Sequence, residues 1–330
     1  MIEVQSLSKH FKVHQKEAGL KGSLRSLFNR KYLIKPALKD LDLTVPTGEI
    51  IGLIGANGAG KTTLTKILSG IIHPTAGDVM INGYRPWQRE NDYRRQMAVI
   101  MGQKAQLWWD LPALDGFLLL KDIYQIPTQS FRTNIDYLAE YLGIKDQLKI
   151  QVRRLSLGER MKVELMAALL HSPKVIFLDE PTIGLDITAQ KAVRKFLKQY
   201  QKDHNPTMVL TSHYMDDIEE LCKRIVILRQ GEKVFDGPIA KVHEQYSLQK
   251  MITAHVNSVK RLKELEQTFP HHLGEFSVED NVIKVITSKE QTMEVARYLF
   301  EHIELLDFSI TNENIGDLIE KIMLHGESFQ

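Results

Sequence analysis

The stretch Gly55-Ala-Asn-Gly-Ala-Gly60-Lys61-Thr62 fits the pattern G-x-x-x-x-G-K-[ST], and nothing else in the chain constrains the fold as much. It follows the apolar run IIGLIG and precedes the helical stretch TTLTKILSG, which Gly70 can close, so the local order is strand, glycine-rich turn, helix. In such a turn Gly55, Gly58 and Gly60 let backbone N–H groups face inward around a β-phosphate, and Asn57 is counted with them among the nucleotide-binding positions. Lys61 would neutralise β and γ charge and the Thr62 hydroxyl would reach Mg2+, with Thr63 following at once. Downstream, VIFLD (175–179), TMVLTS (207–212) and RIVIL (224–228) are continuous apolar runs, as expected of strands covered on both faces of a parallel sheet.

Asp179 and Glu180 end the first of those runs, which puts Asp179 at the carboxyl edge of a central strand where it can approach Mg2+, beside a Glu able to orient water. LSLGER (155–160) opens the helix that carries MKVELMAALL, so Ser156 reads as an N-cap and the free N–H groups behind it as an anion site.

Composition limits the rest. At 330 residues, 43% hydrophobic and 25% charged, the chain reads as an ordinary globular protein with room for two domains. The net charge of +2 is too balanced for a bulk polyanion binder, so no nucleic-acid partner is expected. The single Cys222 cannot form an internal disulfide and suits a reducing compartment. No apolar leader or membrane span is expected, because the longest near-apolar run, 50–60, is glycine-rich and short.

Residues 2–11 and 37–45 read as strands, the latter half-buried by its alternation. Between them, 14–35 forms a basic insertion in which Leu20, Leu24, Leu27 and Phe28 recur at helical spacing. It reads either as a solvated hairpin or as a contact for anionic lipid or an acidic partner surface. Residues 112–171 read as largely helical, and Gly237-Pro238 marks a break. After it, ITAHV, SVKRLKELEQTF, EFSV, VIKVIT, TMEVARYLFEHI, LLDFSI and NIGDLIEKIM read as strand, helix, two strands, helix, strand and helix. No internal repeat is visible, so one set of nucleotide motifs per chain is expected.

The phosphate loop, Gln103, LSLGER, LDE, GLD and His213 occur in that order, and over about residues 1–240 the chain resembles the ATPase subunits of ABC transporters. The signature keeps Leu, Ser and Gly while departing at Leu157 and Glu159. The resemblance implies an α/β fold: a RecA-like parallel core, an antiparallel β subdomain and a helical subdomain at about 104–172; the strand and helix pattern beyond it reads as a small α+β accessory or regulatory domain over 241–330. It implies ATP with Mg2+, Glu180 as general base or water-polarising group, His213 as γ-phosphate sensor, and Gln103 approaching the metal with Thr62 and Asp179. It further implies a second copy as partner. Ser156, Gly158 and Glu159 then face the ATP of the opposite subunit, and Asp186 communicates across the dimer. Phe11 or Tyr32 stacks on adenine, and Trp108 and Trp109 either receive a coupling helix from an integral-membrane permease or pack inside the helical subdomain.

The motif wording looks most like the drug- and polymer-exporting ABC-2-type group, and the insertion with WWDLP narrows it to a bacterial branch of multidrug-type exporters. The expected place is cytoplasmic, on the inner face of the membrane through permease subunits. A polysaccharide-exporter ATPase and a soluble regulatory ATPase without permease are the alternatives.

Overall fold

The structure, a computed structural model, describes residues 1–14, 32–101, 105–246, 249–256, 265, 268–312 and 315–325. The helical-period part of the insertion (15–31), Gln103 and most of the expected helix SVKRLKELEQTF therefore lie outside the described residues. Two compact units divide between Gly237 and Pro238.

In the first unit, β3 (Ile50–Ile54), β5 (Met97–Met101), β6 (Val175–Asp179), β7 (Thr207–Thr211), β8 (Arg224–Arg229) and β9 (Glu232–Pro238) form one sheet in the order β5-β6-β7-β3-β8-β9. Pairing is parallel from β5 through to β8. Helices cover both faces of such a sheet, which is why these strands carry apolar runs without alternation. At Gln230 (φ 50) and Gly231 (φ 86) both turn residues are left-handed, as a two-residue hairpin requires, and β9 returns beside β8.

Register fixes where the loops emerge. Met101 pairs with Asp179, Asp179 with Thr211, and Thr211 with Leu53, so four strands end in one row. The phosphate loop, the 180–186 segment and the 212–214 turn all leave from that row, which is where ligands bind in open parallel sheets.

An antiparallel sheet in the order β2-β1-β4 comprises β1 (Ile2–His14), β2 (Tyr32–Val45) and β4 (Ala76–Ile81). Leu41, Leu43 and Val45 share a buried core with Ile51, Leu53 and α1 (Lys61–Leu68). β1 and β2 both run further than the alternation indicates. His14 still pairs with Tyr32, so the flanks of the 14–35 insertion are strand. The alternation is interrupted because Ser6 (φ 45) and Asp40 (φ 42) sit at register shifts, where their amides donate to Asp42 Oδ1 (2.7 Å) and Ser8 Oγ (3.0 Å).

Among the described residues the other α-helices of this unit are α2 (Asn91–Gln96), α3 (Ala113–Tyr124), α4 (Thr128–Leu142), α5 (Leu157–Leu169), α6 (Ile187–His204) and α7 (Met215–Leu221). Among the described residues, no helix of the chain is long and apolar enough to cross a membrane.

The second unit begins at Pro238, three residues before the expected boundary, and takes in a helix that hydrophobic patterning did not indicate, α8 (Ile239–Tyr246). β10 (Gln249–Val256), β11 (Glu275–Glu279), β12 (Val282–Ser288) and β13 (Leu305–Asn312) make an antiparallel sheet ordered β11-β12-β10-β13. Alternate residues Ile252, Ala254, Ile283 and Val285 bury against Val295 and Leu299 of α9 (Thr292–His302). α10 (Ile315–His325) ends the described chain.

Candidate active site

The phosphate loop keeps its shape through glycine at two positions in particular. At Gly60 (φ 114), the residue before α1, a Cβ would lie 2.7 Å from the Ala37 carbonyl oxygen. At Gly58 (φ 84) there is open space, so the left-handed backbone alone selects glycine. Asn57 and Gly58 are exposed on the loop, while Thr62 and Thr63 lie in the first turn of α1. No side chain caps that turn and it contains no acid, so its N–H groups make an anion site.

Lys61 is 7% exposed, and its Nζ donates to the carbonyls of Gly55 and Ala56, the latter at 3.3 Å. Burial holds its pKa below the ordinary lysine value, while the carboxylates of Glu180 and Asp179 pull it back up. The phosphate loop and the end of β6 thus share one electrostatic environment.

Asp179 Oδ1 accepts from Thr211 Oγ1 at 2.6 Å. The next residue, Glu180, takes a left-handed φ of 54, and its N–H donates to Thr211 O (3.0 Å) and Oγ1 (3.2 Å). That turn swings the carboxylate away from the strand line, and Glu180 Oε1 meets His213 Nε2 at 2.9 Å. A half-buried carboxylate and an exposed imidazole, joined within hydrogen-bond distance, can hold a water and pass its proton.

A second group forms around the start of α5. Ser156 is its N-cap in a capping box: Ser156 Oγ accepts from Glu159 N (3.3 Å) and donates to Glu159 Oε2 (2.9 Å), which also accepts from Ser156 N (2.9 Å). These bonds hold the Glu159 carboxyl below its usual range. A Cβ at Gly158 would meet Ala189 Cβ at 3.1 Å, which places the signature against the start of α6. Asp186 caps α6, with Oδ1 accepting from Ala189 N at 2.8 Å. Ser156 and Asp186 are both exposed.

Phe11 and Tyr32 lie on β1 and β2 towards the end of the pair where His14 meets Tyr32, 38% and 55% exposed, and Lys9 Nζ sits 5.2 Å from the Phe11 ring. Trp108 and Trp109 are half-exposed, with the Arg160 guanidinium 5.1 Å from the Trp109 ring.

Sequence reasoning missed three side chains here. One is Thr211, which could have been found by aligning the equal-length runs VIFLD and TMVLT so that Asp179 and Thr211 stand side by side. A second is Glu164, buried in α5, whose carboxylate accepts from Gln106 N (2.8 Å) and Leu107 N (3.3 Å), with its pKa raised chiefly by burial. The third is Asp217, fully buried in α7, and nothing in its surroundings in the sequence distinguishes it from its exposed neighbour Asp216.

A parallel sheet with a phosphate loop at its switch point and an acid pair at the end of a neighbouring strand defines a P-loop ATPase. Residues 38–183 match the family model described as ABC transporter, and the chain carries an ATP-binding ATPase domain of that family. It is 26% identical over 294 residues to the linearmycin resistance ATP-binding protein LnrL of Bacillus subtilis (strain 168), covering 88% of this chain and 94% of that protein. It is 27% identical over 296 residues to the bacitracin transport ATP-binding protein BcrA of Bacillus licheniformis, covering 89% and 94%. Among solved structures, one described as an ATP binding subunit of an ABC transporter superposes with a TM-score of 0.61 at 26% identity, over 74% of this chain and 92% of that one.

Proposed function

We propose that this chain is the ATP-hydrolysing subunit of a transporter, in which two copies close around two ATP molecules and drive separate integral-membrane permease subunits. The cargo is drug-like or lipophilic and is exported; the subunit sits on the cytoplasmic face of the membrane. The observation that carries the reading is the Glu180–His213 contact of 2.9 Å beside the Lys61 loop. The resistance and transport relatives named above support export, and the α+β second unit argues against a polysaccharide exporter with an added β-sandwich.

In this reading the N–H groups at the start of α1 and Lys61 hold the β- and γ-phosphates. Glu180 orients the attacking water and receives its proton, and His213 donates to Glu180 or to the γ-phosphate as the site closes. Among the described residues no three acidic, His or Cys side chains cage a cation, and Mg2+ takes one or two carboxylates plus substrate phosphates. Thr62 and Asp179, joined by Gln103, fit that donor set. The ion would neutralise charge shared between β- and γ-oxygens. Ser156, Gly158 and Glu159 face the ATP of the second copy, Asp186 lies between the two sites, and Phe11 stacks on adenine in preference to Tyr32. The second unit, Pro238–Gln330, regulates or supports the dimer.

Glu180→Gln keeps ATP binding, slows turnover by roughly 10²–10⁴ and traps the closed dimer. Gentle detergent extraction of membranes holding the tagged variant with ATP then recovers multi-span permease chains. Recovery of a soluble partner alone, or of none, would replace the transporter reading with a regulatory ATPase.

A further inference from the structure

The Glu180–His213 pair is joined at its surface by one contact, yet the two segments that carry it meet again in the core. Asp217 is fully buried, and its carboxylate takes three donors from three different parts of the chain. Oδ2 accepts from Thr182 Oγ1 and from Ser212 Oγ (2.7 Å), and Oδ1 accepts from Arg194 Nη1 at 2.9 Å. Thr182 lies two positions after Glu180, and Ser212 immediately precedes His213. Thr182, Ser212 and Arg194 are themselves 1%, 6% and 2% exposed, so no water competes for the carboxylate. Ser212 Oγ in turn accepts from Tyr214 N at 3.0 Å, which fixes the turn on both sides of His213. Arg194 is steadied from outside by Glu220 Oε1 at 2.9 Å from Nε and Asp216 Oδ2 at 3.9 Å from Nη2.

We infer that Asp217 is a positioning residue for ATP hydrolysis: one buried carboxylate sets the relative position of the segments bearing Glu180 and His213, with Arg194 balancing its charge. This inference rests on the roles given to Glu180 and His213 above. A hydrogen-bonded buried ion is an expensive anchor if only stability is needed, since a well-packed apolar group holds two loops together as well. A carboxylate offers what an apolar contact does not, two directional bonds that fix both hydroxyls relative to each other.

Substituting Asp217 itself risks unfolding, so the test uses the hydroxyls in the full chain. Thr182→Val and Ser212→Ala are each expected to lower kcat about 10²-fold, the loss typical of a misplaced catalytic group, while KM for ATP and the affinity for a fluorescent ATP analogue stay within a factor of about three. Thr182→Ser, which restores the hydroxyl, restores kcat. The double variant loses less than the product of the two single losses, because both act through one carboxylate. Parental kcat in Thr182→Val with a lowered melting temperature would overturn the inference, as would Thr182→Ser being as slow as Thr182→Val. Glu180→Gln run alongside separates the two levels: parental turnover there defeats the site reading itself, whereas a slow Glu180→Gln beside a normal Thr182→Val defeats only the role of Asp217.

Discussion

Thr211→Val changes one hydroxyl to a methyl at nearly constant shape, and the structure allows its effect to be worked through. The hydroxyl donates to Asp179 Oδ1 at 2.6 Å and accepts from Glu180 N at 3.2 Å, in a residue 1% exposed. A hydrogen bond to a carboxylate contributes roughly 1.5–3 kcal/mol. The second bond matters less, about 0.5 kcal/mol, because Glu180 N keeps the Thr211 carbonyl at 3.0 Å. Burying a methyl in place of the hydroxyl returns about 0.8 kcal/mol. The net loss of about 1–3 kcal/mol lowers the melting temperature of a unit this size by roughly 2–12 °C. All three tryptophans, Trp87, Trp108 and Trp109, lie in the Met1–Gly237 unit, so their fluorescence reports this unit's transition separately from the other. In the same variant kcat falls about 10- to 100-fold as Asp179 and Glu180 lose their common reference, with ATP affinity nearly parental. A valine variant that melts and turns over like the parent would show that the row of strand ends orients these carboxylates without the hydroxyl.

Lys61→Ala weakens ATP binding itself, measured by titration with a fluorescent analogue, since the charge acts on bound phosphates before any chemistry. Because burial lowers the Lys61 pKa, the folded state releases this proton below the ordinary lysine value, so ATP affinity in the parent declines on the alkaline side before that pH and Lys61→Arg removes the decline. The Glu159 carboxyl is held below its ordinary 4.5, so its capping contribution is present above that pH and is lost as pH falls through the lower folded value. Acid titration of Glu159→Gln, followed by tryptophan fluorescence, lacks that loss, and the variant is destabilised by about 1 kcal/mol or less at neutral pH. Gly158→Ala crowds Ala189 Cβ at 3.1 Å and slows turnover; Ala189→Gly in the same chain restores it, and a defect that persists would place the need for glycine outside this contact.

The central strands were legible because a parallel strand buried on both faces leaves an unbroken apolar run, and the phosphate loop because its glycines answer to local backbone geometry. β1 and β2 were harder. Their register shifts depend on Asp42 and Ser8 reaching across to the neighbouring strand, and no window on one strand contains that information. Asp217 was illegible for the same reason: its three donors come from residues 182, 194 and 212, and only the fold brings them to one carboxylate. The capping role of Ser156 was visible because its partner is Glu159, within one helical turn.

The segment 180–186 is where the two groups of site residues become one mechanical problem. At its first residue Glu180 faces His213; two positions on, Thr182 is bonded to Asp217; at Gly184 (φ 75) an added Cβ would meet Leu157 at 3.4 Å; and at its end Asp186 caps the helix whose Ala189 touches Gly158. Ile183 N to Glu180 O (3.2 Å) and Leu185 N to Thr182 O (3.2 Å) turn the chain tightly between these anchors, so little slack remains. A ligand that shifts the start of α5 therefore presses on a segment fastened at both ends. Near Glu180 the fastenings are its own amide on Thr211 and the buried bond from Thr182 to Asp217, while Asp186 at the other end, like Ser156, is exposed. In the proposed dimer, closure by a partner acts first on the exposed end and is felt by Glu180 through Thr182. For that reason substitutions at Thr182 are expected to alter turnover, and those at Ser156 to alter assembly of the dimer.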